Sequence, residues 1–189
     1  MTNVIIYLIG FAGIGKLTIA KELSKLTNAR IIDNHLINNP ILSLIPLDGK
    51  TPIPKVVWER IANIREIVFT TIEELSPPYS NFIFTNELLE SSTQDKEIYR
   101  RIAVIAQKRK STFVPIRLIA NLDELCRRVS SVERTAHYEM TCAESTKEKY
   151  RKEALFMPET PLTQTIDITD FTPKEAAGKK LTVLKTLEE

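Results

Sequence analysis

Gly10-Phe11-Ala12-Gly13-Ile14-Gly15-Lys16-Leu17-Thr18 follows directly on the apolar run Asn3-Val4-Ile5-Ile6-Tyr7-Leu8-Ile9. An apolar run of this length reads as a buried strand. A strand that breaks into a glycine-rich loop and re-enters a helix gathers backbone N–H donors at the positive end of that helix, a site suited to a polyphosphate. Gly10, Gly13 and Gly15 allow positive φ and close backbone approach. Lys16 supplies a mobile cation for the β- and γ-phosphates. Behind the loop, Leu17, Ile19, Ala20, Leu23 and Leu26 recur as the apolar face of an amphipathic helix.

The spacing from Gly10 to Gly15-Lys16 is that of a P-loop, or Walker A motif, with one departure. Leu17 stands where Ser or Thr usually holds magnesium, and Thr18 comes one residue later. This Gly-x-x-Gly-x-Gly-Lys-x-Thr arrangement resembles the loop of adenylate kinase and its relatives. Gly10, Gly13, Ile14, Gly15, Lys16, Leu17 and Thr18 are therefore the candidate nucleotide-binding positions, with Thr18 the candidate Mg2+ ligand.

The 189 residues fit one domain with a full core, and 43% hydrophobic with 26% charged residues is ordinary for a soluble globular chain. A net charge of +2 is too mild to imply nucleic acid, and the cluster Lys108-Arg109-Lys110 closes a predicted helix where cations complement its dipole. Cys126 and Cys142 have no companion ligand pattern, so neither zinc nor a disulfide framework is expected. The apolar runs are strand-sized and no basic leader precedes the first, so a cytoplasmic protein without a membrane span is expected.

Strand and helix patterns alternate along the chain. Ala29 to Ile32 forms a short second strand ending at Asp33, and residues 34–53 read as irregular. A helix follows Pro54, with Val57, Ile61, Ile64, Val68 and Ile72 on one face, and Pro77-Pro78 stops it. Asn81 to Thr85 is a buried strand, Thr93 to Arg109 a helix, and Thr112 to Ile119 a strand whose Pro115 argues for an edge position or a local break. Asn121 to Glu124, Thr141 to Glu144 and Thr172 to Glu175 carry helix-capping signatures, and Gln164 to Ile168 is the fifth strand. The expected fold is α/β with three layers: a five-stranded parallel sheet, helices on both faces, and a lid segment. Residues 1–189 form one domain in this reading, with 34–75 as the acceptor-binding region and 127–145 as the lid.

Ligands bind such sheets beyond the strand C-termini, which directs attention to the residues after each strand. A carboxylate at Asp33 can orient an acceptor hydroxyl toward the γ-phosphate and take its proton late; the alternative is a cap for the next helix. Asn34, His35 and Asn38 can present polar groups to a substrate, or serve turn geometry and structural hydrogen bonds. Asn86 and Glu87 end the third strand where many P-loop proteins carry an Asp near magnesium; no Asp stands here, so Glu87 can take that role or Asn86 can contact substrate, and both are candidate substrate-binding positions. Arg65 is the better placed of Arg60 and Arg65 to face the site, and Trp58 reads as packing. Arg127, Arg128 and Arg134 lie at a lid entry, where arginines can neutralise a transferring phosphoryl group; the alternative is a solvated basic helix face, with His137 on the same surface.

Taken together, the element order resembles the nucleoside-monophosphate-kinase and shikimate-kinase branch of P-loop proteins, and is similar to its chloramphenicol phosphotransferases. That resemblance implies ATP and Mg2+ as cofactors. It implies catalytic roles for Lys16, Asp33, Arg128 and Arg134, and a loop near the adenine at Asp170-Phe171-Thr172, with Asp170 and Thr172 as binding positions. Three departures shape the substrate expectation. His35 replaces the second aspartate of shikimate kinases, and Thr85-Asn86-Glu87 replaces their triple glycine. Residues 31–59 contain no arginine to grip a monophosphate, and the Asp-Gly-Phe-Pro-Arg element of adenylate kinases is absent. The expectation is an ATP-dependent kinase acting on a hydroxyl of a small molecule, with no nucleic-acid or membrane partner. A slowly hydrolysing ATP-binding regulatory or switch module and a nucleoside-monophosphate kinase are the alternatives. The Asn-Lys-x-Asp phrase of a guanine-specific switch is missing after the fourth strand, where the chain reads Ile119-Ala120-Asn121-Leu122.

Overall fold

The computed structural model describes residues 2–46, 51–129, 143–172 and 174–178. Its strands are β1 (Val4–Ile9), β2 (Arg30–Asp33), β3 (Phe82–Asn86), β4 (Thr112–Ile119) and β5 (Gln164–Asp167). Its helices are α1 (Lys16–Thr27), α2 (Asn34–Leu42), α3 (Lys55–Leu75), α4 (Thr93–Arg109), α5 (Leu122–Val129) and α6 (Ala143–Lys152). The strands form one parallel sheet in the order β2-β3-β1-β4-β5.

The alternation of side chains along a strand sorts the core into two layers. Ile6 and Leu8 of β1 point to one face and pack with Ile19 and Leu23 of α1 and Leu125 and Val129 of α5. Ile5, Tyr7 and Ile9 point to the other and pack with Ile61, Phe69 and Ile72 of α3 and Ile102 and Ile105 of α4. With both faces covered, β1 is buried throughout, which is why it reads as an unbroken apolar run. The chain leaves β1 toward the α1 face and β3 toward the α4 face. Since β1 and β3 are neighbours, their C-terminal ends open a crevice at a topological switch point.

Two sequence expectations need correction. Residues 34–53 are not irregular throughout: Asn34–Leu42 is helix α2, started by the Asp33 carboxylate on the His35 amide and carrying Pro40 inside it. Asparagine-rich, low-propensity sequence hid this helix, and packing of Ile37 into the α3 layer supports it. β4 is an interior strand, not an edge. Its Pro115 is tolerated for a local reason. The Thr112 amide donates toward the β1 side, to the Asn3 carbonyl, and the Ile119 carbonyl accepts from the β5 side. By alternation Pro115 also faces the β5 side, and β5 pairing begins only at Ile116, so no ladder bond is lost.

Other local expectations hold. Ser76, preceding Pro77, is extended and ends α3. Arg109 departs from one: expected to complement the dipole of its own helix α4, it donates to the carbonyls of Ile72 (2.7 Å), Ser76 (3.0 Å) and Pro77 (2.7 Å) and so caps the end of α3. Lys108 pairs with Glu73. Asn121 caps α5 through the Glu124 amide, and Thr172 and Glu175 close a reciprocal capping box. Thr141 and Cys142, part of the third capping signature, lie outside the described residues; Cys126 is buried.

Candidate active site

The crevice is built first by the loop after β1. A Cβ on Gly10 would meet Ile14 Cγ2 at 2.8 Å and the Leu118 carbonyl at 3.1 Å, so only glycine lets the strand turn there. Gly13 (φ 86°) and Gly15 (φ 101°) hold left-handed conformations that side chains disfavour. Gly15 is the N-cap of α1 and no side chain caps that helix start, which leaves its first-turn amides directed into the crevice. Lys16 Nζ donates to the carbonyls of Gly10 (2.8 Å) and Phe11 (3.0 Å), folding the cation onto its own loop. Thr18 is exposed in the first turn of α1.

β3 supplies the facing wall. Its Asn86 carbonyl accepts from the Gly10 amide at 3.2 Å. Glu87 follows, with Oε1 accepting from the Ala12 amide at 3.1 Å and Oε2 accepting from Lys149 Nζ of α6 at 2.5 Å. Asp33 lies at the end of β2 opposite Thr85, and is buried at 4% exposure. Its Oδ1 accepts from the His35 amide at 2.9 Å and its Oδ2 from Thr85 Oγ1 at 2.5 Å. The carboxylate is thus the N-cap of α2 and is fixed in rotamer by two donors.

Beside it runs a chain of polar side chains. Tyr7 Oη donates to Asn86 Oδ1 (3.0 Å), and Asn86 Nδ2 donates to Asn34 Oδ1 (3.0 Å). Burial pushes the Tyr7 phenol well above its ordinary value, with Asp95 adding to the effect. Asp95, which accepts from the Leu89 amide, is itself raised by burial. On α2 and α3, Asn38 Oδ1, Asn39 Oδ1 and Arg65 Nε are buried without a hydrogen-bond partner among the described residues, as are Tyr99 Oη, Arg109 Nε and Arg117 Nε elsewhere. Burial holds the Arg65 guanidinium below its usual range, and Tyr7 and Asp95 partly offset this. Orphaned buried donors and acceptors are costly. Arg60, on the other side of α3, is exposed, and Trp58 packs against the α3 layer.

On the β4 side, Arg128 is three-quarters or more enclosed and reaches across the fold. It donates to Glu124 (2.6 Å), the loop carbonyl of Ile14 (2.8 Å), and the carbonyls of Ile168 (2.9 Å) and Phe171 (3.4 Å) after β5. Arg127 is exposed and, among the described residues, pairs with Glu124. Arg127 first and Arg128 second hold the Glu124 carboxyl down to about 2. Of the loop after β5, Asp170 is exposed and the Thr172 hydroxyl is spent on Glu175. Arg134, His137 and most of 127–145 lie outside the described residues.

The fold therefore brings together the loop 10–18, Asp33, Asn34, Asn86 and Glu87 at one crevice, and ties Arg128 to the underside of the loop. Sequence reasoning passed over Lys149, Tyr7 and Asp95. Lys149 is one cation among Lys147, Arg151 and Lys152 in a charged helix, and Tyr7 lies inside an apolar strand, so no local pattern marked either. Among the described residues no three His, Cys, Asp or Glu side chains gather as a metal cage, and no helix is long and apolar enough to cross a membrane.

No family model matches the sequence, and no curated protein matches it. Solved structures share the fold at low identity. A thymidylate kinase from Candida albicans is 14% identical with a TM-score of 0.64, covering 99% of this chain and 93% of that one. A gluconokinase from Sinorhizobium meliloti 1021 is 15% identical with a TM-score of 0.62, covering 98% and 93%. A shikimate kinase from Acinetobacter baumannii, solved with shikimate, is 15% identical with a TM-score of 0.58, covering 97% and 93%. The architecture is that of the P-loop kinases, and these three names show one fold serving acceptors of different kinds.

Proposed function

We propose that the chain is an ATP-dependent kinase that transfers the γ-phosphoryl group to a hydroxyl of a small molecule. The observation that carries this reading is the juxtaposition of an uncapped α1 N-terminus and its glycine loop with Glu87, Asn86, Asn34 and the buried Asp33 at the ends of β2 and β3. The first suits a polyphosphate and the second a polar acceptor.

The donor set fits a nucleotide with magnesium. The loop amides and Lys16 would hold the phosphates once Lys16 Nζ leaves the Gly10 and Phe11 carbonyls. Thr18 would be the side chain that holds magnesium, which would neutralise charge on the phosphates. Arg128 would keep the loop and the 168–171 segment at fixed separation. In the transfer itself the acceptor oxygen attacks the γ-phosphorus as the bond to the ADP oxygen breaks. Asp33, through lone pairs left by Thr85 and His35, orients that hydroxyl and receives its proton. Asn34, His35, Asn38, Arg65 and Asn86 supply the acceptor's polar contacts, with Arg134 and Asp170 assigned to the phosphate and base sides respectively.

The test is calorimetric binding of ATP with and without Mg2+, followed by ADP release across sugars, sugar acids and hydroxylated antibiotics. Lys16→Ala should abolish tight ATP binding. Absence of ATP binding in the unaltered protein would refute the reading; ATP binding with no hydroxyl-dependent turnover would favour a regulatory module.

A further inference from the structure

The geometry points to Lys149 as a positioning residue of the phosphate site: it neutralises Glu87 and holds its carboxylate on the Ala12 amide, so that a polyphosphate can bind beside a fixed negative charge. This inference rests on the nucleotide-binding reading above.

Three observations converge on it. The first is the relay itself, with Ala12 N–H on Glu87 Oε1 at 3.1 Å and Lys149 Nζ on Glu87 Oε2 at 2.5 Å. Lys149 and Glu87 are 28% and 22% exposed, whereas nearby Lys152 pairs with Glu148 on the open surface at 69% and 66%. The second is that α6 is anchored on both sides of this pair. Tyr150 lies against Phe11 of the loop with ring centroids 5.1 Å apart and donates to the Ala120 carbonyl at 3.0 Å. The segment after α6 is bonded to the loop after β3: the Glu90 amide donates to Ala154 at 2.8 Å and the Phe156 amide to Leu88 at 3.0 Å. Ser91 also donates to Glu153. Lys149 therefore stands on a helix tied, together with the segment after it, to the loops that carry Ala12 and Glu87.

The third is charge. Glu87 has a second carboxylate, Asp95, within electrostatic reach, and Lys149 acts on Asp95 in the opposite sense. Without Lys149, a polyphosphate entering the loop would meet an uncompensated carboxylate already bonded to one of the loop amides. Unpaired charge in a half-buried site is strongly unfavourable, and a further anion nearby compounds it.

The experiment is a double-mutant cycle on the full chain: Lys149→Met, Glu87→Gln, and both together. ATP and ADP affinities are measured by calorimetry, melting temperature by scanning, and exchange of the Ala12 amide by NMR. Lys149→Met should weaken ATP binding by about tenfold, the scale of one uncompensated charge acting over several ångströms in a partly exposed site. It should also speed Ala12 exchange. The double variant should recover ATP affinity to within about threefold, because glutamine can still accept from Ala12 without a charge to neutralise. An ATP affinity unchanged in Lys149→Met would overturn the inference while leaving the kinase reading intact. So would a double variant as weak as the single one, which would mark direct contact of Lys149 with phosphate. If the unaltered protein binds no nucleotide, the kinase reading fails and this inference with it; Ala12 exchange then reports only whether the relay forms.

Discussion

Replacing Asp33 by Asn changes one carboxylate oxygen to an amide nitrogen and leaves the other in place. The retained oxygen can still accept from the His35 amide, now 2.9 Å away, so the α2 cap survives. The new amide meets Thr85 Oγ1, now 2.5 Å from the carboxylate, and the hydroxyl can turn to accept from it. What is lost is charge assistance on one buried and one partly buried hydrogen bond, about 1 kcal/mol. For a chain of this size that lowers Tm by roughly 2–4 °C. Asp33→Ala removes the cap (~1 kcal/mol) and leaves the buried Thr85 hydroxyl without its acceptor (~1–3 kcal/mol). Its Tm should fall by roughly 4–15 °C. If Asp33 orients the acceptor hydroxyl, the Asn variant should lose ~10²-fold or more in acceptor-dependent ADP formation while binding ATP as before. The assay compares melting temperature, ATP affinity and ADP formation for the three proteins. Undiminished ADP formation in the Asn variant, alongside the stability loss in the Ala variant, would leave Asp33 as a helix cap and refute its catalytic assignment.

Gly10→Ala should cost ~1–3 kcal/mol and weaken ATP binding, because the added Cβ is driven into packed Ile14 and the Leu118 backbone; melting and calorimetry read both. Glu124 carries a native pKa of about 2 against ~4.3 for an unfolded glutamate, so its contribution is full above pH ~4.3 and lost as pH falls toward 2. Glu124→Gln should therefore flatten the decline of Tm between roughly pH 5 and pH 2.5, with the share due to the exposed partner Arg127 reduced by solvent screening. Arg109→Ala frees three carbonyls at the end of α3 and should cost about 2 kcal/mol or more in denaturant unfolding, with no change in ATP affinity.

Much of the site was legible because its signals are local. The loop 10–18 is set by glycine conformations and a single lysine within one strand–turn–helix unit, and the caps at Asn121 and Thr172 span three residues each. Both alternatives for Asp33 were visible as well, since cap and catalyst require the same residue at a strand end. The structure supplies the cap and leaves the catalytic role to the experiment above.

The amino-acid sequence by itself determined the alternation of strands and helices, the polyphosphate-shaped turn and the burial of β1, because periodicity and turn chemistry act over neighbouring residues. Tertiary structure alone decided the rest. It inserted β3 between β2 and β1, which put Glu87 on the Ala12 amide and Thr85 on Asp33. It also chose between two adjacent arginines, turning Arg128 onto the loop and leaving Arg127 to Glu124. Finally, it brought Lys149 to Glu87 from 62 positions away. Such pairings depend on strand order and helix docking, which no local pattern encodes, because a charged side chain reads the same in sequence whether it faces water or a buried partner.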